Sequence, residues 1–336
     1  MSKSLVSMYF FSVVTLALSF GTCASYAQST LTPVNSDETP EVLVASLHQK
    51  RWNHGAEDCS LNVDPAIDIY RYDTSSYILR QNKCLSFEAP FIYVLFGKEK
   101  VLVLDTGAAA SSVDFPLFDT VETLIKDQPL PEGNKVWEIV VIHSHSHSDH
   151  RSGDAQFEKK NNVTLVQPNV EAVSDFFDFK NWPNGEANIV LGDRTVTVIP
   201  TPGHQEAAIS IYDPQTKWLL SGDSFYPGYL VIKHWDNYKR SIARLISFSK
   251  KHEISAVMGA HIEMTRSAGK YYPIGTIYQP NEAPLALTLE HLSSLNSALK
   301  DLDQPKNLVF DSFIVAPMTS TQKVISNVAR WIIQKF

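Results

Sequence analysis

The chain has 336 residues, 44% of them apolar and 19% charged, with a formal net charge of −7. That is enough apolar material for a large buried core in one or two domains. The acidic balance, with no block of like charge, argues against a nucleic-acid groove, which needs clustered Lys and Arg.

Residues 1–27 read as a signal peptide. Lys3 gives a weak positive start, residues 9–20 form a short apolar run, and Ser25 and Ala27 put small residues where a signal peptidase cuts. The run is too short to favour a membrane span. A lipid anchor on Cys23 is the rival reading, but Phe20 stands where such signals usually carry Leu. Cleavage after Ala27 sends the chain to the periplasm or beyond. It leaves Cys59 and Cys84 in an oxidising compartment, where a disulfide between them would close a loop of about 25 residues and contribute on the order of 3 kcal/mol. Metal ligation by this pair is the alternative.

Residues 28–42, rich in Ser, Thr, Pro and Asn, read as a flexible lead-in. Residues 43–50 have a short helical apolar spacing, and residues 70–85 read as strand, turn and strand around 74–76. The β-rich runs 91–96 and 100–104 flank Gly97, a hairpin signal, and the second ends at Asp105-Thr106-Gly107. Residues 115–126 repeat apolar side chains at helical spacing until Pro129 and Pro131. An apolar strand, 137–142, follows. A short helix is expected over 153–160 and a strand over 163–166. The aromatic segment 170–185, with Phe176, Phe177, Phe179 and Trp182, either lies over a site entrance or is a surface helix tucked on the core. Strands are expected at 195–199, 208–212, 217–220 and 256–258, helices at 238–252, 284–302 and 324–336, and an extended piece at 308–315.

The strand 137–142 delivers His143, His145, His147 and His150, with Asp149 beside the last and serines between them. Histidine is the commonest metal-binding side chain, and neutral imidazoles tolerate crowding. Within the cluster, His145-Ser-His147-Ser-Asp149-His150 is H-x-H-x-D-H, the signature of the metallo-β-lactamase superfamily. The resemblance extends over about 92–263 in five motifs in order. Asp105 supplies the first and the histidine cluster the second, followed by His204 in Thr-Pro-Gly-His, Asp223 in Ser-Gly-Asp and His261 in Gly-Ala-His.

The resemblance implies an α+β fold, the four-layer αββα metallo-β-lactamase sandwich. It makes residues 43–336 one hydrolase domain, with a core at about 70–265 and a C-terminal helical region over 266–336. It assigns His145, His147 and His204 to one metal ion and Asp149, His150 and His261 to a second, with Asp223 bridging. A catalytic zinc keeps about three protein ligands and an open position, so the set divides naturally between two ions. Two Zn²⁺ are expected, with iron or manganese as other possibilities. Asp105 would orient a ligand histidine; its alternative is a strand-end turn Asp. His143 is expected to be exposed or to support a ligand, and His48, His54, His252 and His291 to lie at the surface.

The implied activity is that of an exported dinuclear zinc hydrolase. A metal-bridging hydroxide would attack an ester, lactone, thioester or amide-like bond of a small molecule, and Asp149 would take up a proton as the intermediate collapses. Asp223 stands where true β-lactamases of the superfamily carry Cys or Ser, which leaves β-lactam hydrolysis as a side activity at most. His147 stands where the diiron flavoproteins carry Glu. Tyr226, three residues after Asp223, matches a Tyr that in acyl-homoserine lactonases can donate to the substrate carbonyl; packing is its other reading. His234 and Tyr229 in the same loop are weaker candidates. The competing class is a mononuclear iron oxygenase resembling the persulfide dioxygenases, with two histidines and a carboxylate on one iron. No nucleic-acid partner and no stable membrane insertion are expected.

Overall fold

In the computed structural model the described residues are 39–131, 136–324 and 326. The expected signal peptide, residues 28–38 of the lead-in and nearly all of the expected 324–336 helix lie outside them. Helix α1 (Pro40–Gln49) opens the described chain, three residues earlier than its apolar spacing suggested. Proline is at home in the first helical turn, where its missing N–H has no partner to lose.

Six strands form the first sheet in chain order: β1 (Ile67–Arg71), β2 (Ser76–Gln81), β3 (Phe91–Phe96), β4 (Lys100–Leu104), β5 (Glu138–Ile142) and β6 (Val163–Leu165). The pairs from β1 to β4 are antiparallel, whereas β4, β5 and β6 are parallel. Helix α2 (Leu117–Lys126) fills the β4–β5 crossover, the one-turn helix α3 (Ser148–Arg151) follows β5, and α4 (Val170–Phe177) follows β6. Downstream come β7 (Ala187–Val190), β8 (Thr195–Pro200), β9 (Ile209–Asp213) and β10 (Trp218–Gly222). The chain leaves this second sheet through β11 (Tyr229–Ile232) and α5 (Trp235–Ser249), then rejoins it as β12 (Ala256–Gly259), parallel to β10. The second sheet has the order β12-β10-β9-β8-β7. After α6 (Leu289–Lys300), β13 (Leu308–Val309) and β14 (Ile314–Pro317) join β11 in a small third sheet.

Period-two alternation on β4 sorts the layers. Leu102 and Leu104 point inward and pack with Val196, Ile211 and Leu220 of the second sheet, whereas Val101 and Val103 point outward against Val121 and Leu124 of α2. On the far side, Ile199 and Leu219 pack against Ile242 and Leu245 of α5 and Leu292 and Leu295 of α6. Helix, sheet, sheet, helix is the αββα order expected from the motifs.

Several elements differ from the sequence reading. The helix expected over 153–160 is only a 3-10 turn, Asp154–Gln156. The helix expected from 284 begins at Leu289, because the Thr288 side chain accepts from the His291 N–H and caps it there, while Leu287 is still bridged to Val257. The extended piece 308–315 is a hairpin of β13 and β14, so the region beyond 265 contributes strands as well as a helix. Strands β7 and β11 had no clear alternating signal. Cys59 and Cys84 form the expected disulfide. Among the described residues no helix is long and apolar enough to cross a membrane.

One buried cation joins the sheets. Arg194, 2% exposed, makes a bidentate pair with Asp213 (2.8 and 2.6 Å) and donates to the carbonyls of Ser75 and Phe96 (both 3.1 Å). Burial alone would raise the Asp213 carboxyl, but Arg194 and Thr216 outweigh it and hold it below its ordinary value. Arg194→Met should cost about 3–5 kcal/mol in urea unfolding, because it strands a buried carboxylate. In the wild type, Asp213's contribution should be complete above the ordinary Asp range, near pH 4, and be lost as pH falls through its lower folded value; the mutant should lack that acid-side loss.

Candidate metal centre

The ligand residues lie where strands end, along one edge of the two sheets. Strand β5 runs straight into Ser144 and His145, and α3 turns the chain so that Asp149 and His150 face back. The loop after β8 brings His204, the end of β10 brings Asp223, and β12 leads to His261. Gly222 makes the approach possible. It has φ +50°, and a Cβ there would meet the Ser144 side chain at 2.5 Å.

Two groups of side chains converge. In the first, ligand atoms of His145, His147, His204 and Asp223 all lie within 4.8 Å of one another; in the second, those of Asp149, His150, Asp223 and His261 do so. The division is the one expected from the motifs. Asp223 turns Oδ2 to His204 Nε2 (3.5 Å) and His145 Nε2 (3.8 Å), and Oδ1 to His261 Nε2 (3.4 Å) and His150 Nε2 (3.6 Å). Asp149 Oδ2 lies 3.1 Å from His150 Nε2 and 3.2 Å from His261 Nε2.

The far side of each ring shows how the lone pairs point. His204 Nδ1 donates to the Val231 carbonyl and His261 Nδ1 to the Glu88 carbonyl, both at 2.9 Å. A carbonyl only accepts, so both rings carry their proton on Nδ1 and aim a bare Nε2 at the centre. His150 Nδ1 is held the same way by Asp105 Oδ2 at 2.9 Å. Ser144 Oγ donates to Asp105, which leaves it free to accept from His145 Nδ1 at 3.2 Å. The bare His145 Nε2 and His204 Nε2 lie 2.9 and 3.1 Å from His147 Nδ1, and the bare His261 Nε2 and His150 Nε2 face each other at 3.4 Å. The buried Asp223 Oδ1 has no hydrogen-bond partner. Converging lone pairs and an unpartnered carboxylate oxygen fit divalent cations, one per group.

The electrostatics agree. Burial pushes His145 well below its ordinary value and, with neighbouring His204, takes His147 down to about 4, leaving neutral imidazoles ready to ligate. At the second group burial opposes charge, yet Asp223 and Asp149 raise His261 to about 9, and Asp149 and Asp105 lift His150. The three acids thus draw positive charge to the Nε2 atoms, which a divalent cation supplies in place of a proton. Burial would raise the Asp149 and Asp223 carboxyls, but the facing histidines hold both well below the carboxylate range.

Asp105 satisfies both of its readings. It ends β4 with φ 71°, in the left-handed region, and its carboxylate accepts from the Ser144 N–H (2.7 Å), Ser144 Oγ (2.9 Å) and His150. His143 is not exposed: it is buried between the Asp154 carboxylate (2.8 Å) and the Val166 carbonyl (3.1 Å), bracing the loop from behind. His48, His54, His252 and His291, expected at the surface, are half-buried. His234 and Lys233 share the Glu206 carboxylate at 3.1 and 3.2 Å. Tyr229 gives its N–H to Glu263 at 2.7 Å.

Tyr226 packs its ring on His261, centroids 5.5 Å apart, and its hydroxyl lies 3.3 Å from Glu263 Oε2. A phenol has one proton. In this structure that proton is directed to Glu263 and the ring packs on His261. Phe177, Phe179 and Trp182 pack against the inter-sheet core, so of the two readings of 170–185 the core reading describes these three, whereas Phe176 is 45% exposed. The polar start of that segment, Asn169 to Glu171, instead lines a cavity of about 800 Å³ beside His147 and Asp149. Arg151, Lys233 and Glu206 complete its charged wall, and Pro168, Val170 and Ala207 its apolar one. The volume suits a small molecule. The carbonyls of Val231 and Glu88, which orient two ligand histidines, carry no signal in the sequence because any residue supplies one.

Fold and site together define a metal-dependent hydrolase. The chain belongs to the metallo-beta-lactamase superfamily, whose family model matches residues 86–308. Acyl-coenzyme A thioesterase MBLAC2 of Homo sapiens is 26% identical over 224 residues, which covers 56% of this chain and 77% of that protein. Hydroxyacylglutathione hydrolase of Brucella anthropi is 27% identical over 128 residues, covering 38% of this chain and 46% of that protein. Among solved structures, a metallo-beta-lactamase from Pontibacter korlensis is 18% identical with a TM-score of 0.46, over 70% of this chain and all of that one.

Because Asp105 fixes the His150 tautomer, Asp105→Asn should weaken a divalent cation at the second group about 10–100-fold, and the first, which Asp105 reaches only through Ser144, by less. Chelator competition resolves the two. Tyr226→Phe should change kcat less than tenfold; a fall of about 10²–10³-fold would instead mark a hydroxyl aimed at the reacting oxygen.

Proposed function

We propose that the chain is an exported dinuclear zinc hydrolase acting on a small acyl compound, with a thioester as the favoured bond. The observation that carries the reading is the Asp223 carboxylate, one oxygen facing each of two histidine groups. The names of two relatives, acyl-coenzyme A thioesterase and hydroxyacylglutathione hydrolase, favour thioesters over lactones and amides. Export is supported by the apolar N-terminal run and by the Cys59–Cys84 disulfide, a bond that persists in oxidising compartments.

His145, His147 and His204 would hold one ion, Asp149, His150 and His261 the other, with Asp223 between them. Bound there, two divalent cations lower the pKa of a shared water and polarise a carbonyl oxygen. The protein's own contribution is orientation. Four imidazoles are locked by partners on their Nδ1 side, so little reorganisation is left for the reaction itself. Asp149 lies at both the second group and the cavity wall, which supports a role for it in taking up the proton of the attacking water as the leaving group departs. The cavity wall offers Arg151 and the Lys233–Glu206 pair to the polar part of a carrier, and Val170 and Ala207 offer a surface for an acyl chain.

Metal analysis of the purified chain tests the reading together with acyl-thioester and β-lactam reporters. Two zincs per chain with thioester turnover are expected. One iron per chain and no hydrolysis would overturn the reading in favour of an oxygenase. His145→Ala or Asp223→Ala should reduce turnover to background with circular dichroism unchanged; retained turnover would remove the centre from the mechanism.

A further inference from the structure

The second ion's ligand His261 depends on a loop that no motif covers. Its Nδ1 proton rests on the Glu88 carbonyl, and Glu88 lies in the connection between β2 and β3. The direction of that carbonyl is set by a residue in an unfavourable conformation: Ala89, fully buried, has φ 40°, in the left-handed region that a non-glycine residue avoids. Such a conformation persists only where the surroundings over-determine it.

Two devices do so. Lys83, 2% exposed, donates its ammonium to the Phe87 carbonyl at 2.9 Å, one residue before Glu88. Burial and the neighbouring Arg80 take its pKa down to about 8, against the opposing pull of Glu282, Glu263 and Glu88. The second device is the disulfide, which fixes Cys84, next to Lys83, to Cys59 in a separate loop. The rest of the turn hangs from Asn82, whose carbonyl accepts from the Leu85 and Ser86 N–H groups and whose side chain accepts from the Cys84 N–H. At the far end, the Phe91 N–H donates to the Ala260 carbonyl at 2.7 Å, so loop and His261 are registered against each other from both sides.

We infer that Lys83 and the Cys59–Cys84 disulfide are positioning devices for the second metal site: they hold the Glu88 carbonyl where it keeps His261 Nε2 bare and aimed at Asp149 and Asp223. The inference rests on the two-metal reading. It makes disulfide formation and capture of the second ion linked events. The first group, whose orienting partners are Ser144 and the Val231 carbonyl, stands outside this linkage.

The test compares the wild type, Cys59→Ser/Cys84→Ser, Lys83→Met and Lys83→Arg as full chains, each loaded with zinc and then titrated with a chelator. Metal per chain is read by elemental analysis, and Co²⁺-substituted samples report the coordination of each site by absorption. In the double serine variant and in Lys83→Met, one of the two ions should be released about 10–100-fold more readily than in the wild type, the other as before. Lys83→Arg, which keeps a donor, should recover part of the difference. Lys83→Met retains the disulfide, so it decides the matter if the serine variant does not fold. Equal weakening of both sites, or a lower melting temperature with two ions bound as tightly as in the wild type, would reduce both devices to fold stability and overturn the inference. A wild type that takes up fewer than two ions overturns the two-metal reading, and the inference with it.

Discussion

A single carboxylate shared between two clusters of imidazole is the constraint to which this structure answers. Asp223 can serve both groups only if segments more than a hundred residues apart in the chain bring their ligand atoms within 4.8 Å of one another. Loops alone would not hold that tolerance. The two packed sheets do, because each ligand leaves the end of a strand whose register is fixed by its neighbours and by the inter-sheet core. The links between the sheets, Arg194 to Phe96 and Tyr93 to the Gly259 carbonyl, then bear on the centre as much as on stability.

The centre also shows how a protein gathers positive charge in a dry place. Burial by itself would empty every histidine of its proton, and at the first group it does. At the second, the acids Asp105, Asp149 and Asp223 reverse the sign. The two groups therefore differ in the field they offer, although both are built from imidazole and a shared carboxylate. The first is a neutral ligand set, and the second a negatively biased one whose ligand geometry rests on a carboxylate and a backbone carbonyl.

What was legible in the sequence follows from which features are carried by side-chain identity. The ligands were legible because H-x-H-x-D-H and the later His and Asp residues are chemical statements that few other functions require. The αββα layering was legible through the family resemblance that those motifs carry. Less could be read where the determinant is context. Helix 284–302 was overextended because its apolar residues 285–287 fit a strand-like bridge as well as a helix, and Thr288 decided where the turn began. The 153–160 segment fell short of a helix because Asp154 is committed to His143 and Thr106 behind the ligand loop. His143 was indistinguishable by type from the ligands two and four residues on, and only its burial between Asp154 and Val166 separates it from them.

The same distinction explains why two of the most consequential contacts escaped notice. The carbonyls that fix His204 and His261 belong to Val231 and Glu88, and a backbone carbonyl is common to all residues. What selects these two is conformation: strand β11 presents the first, and a strained Ala89 presents the second. Conformation of that kind has to be enforced from elsewhere, and in the second case the enforcers are unusual enough to be seen. A buried lysine and a covalent crosslink meet on one short turn. Neither belongs to the apolar clusters that pack on the two faces of β2 and β3. Their placement makes sense if the turn's task is to keep one imidazole pointing inward.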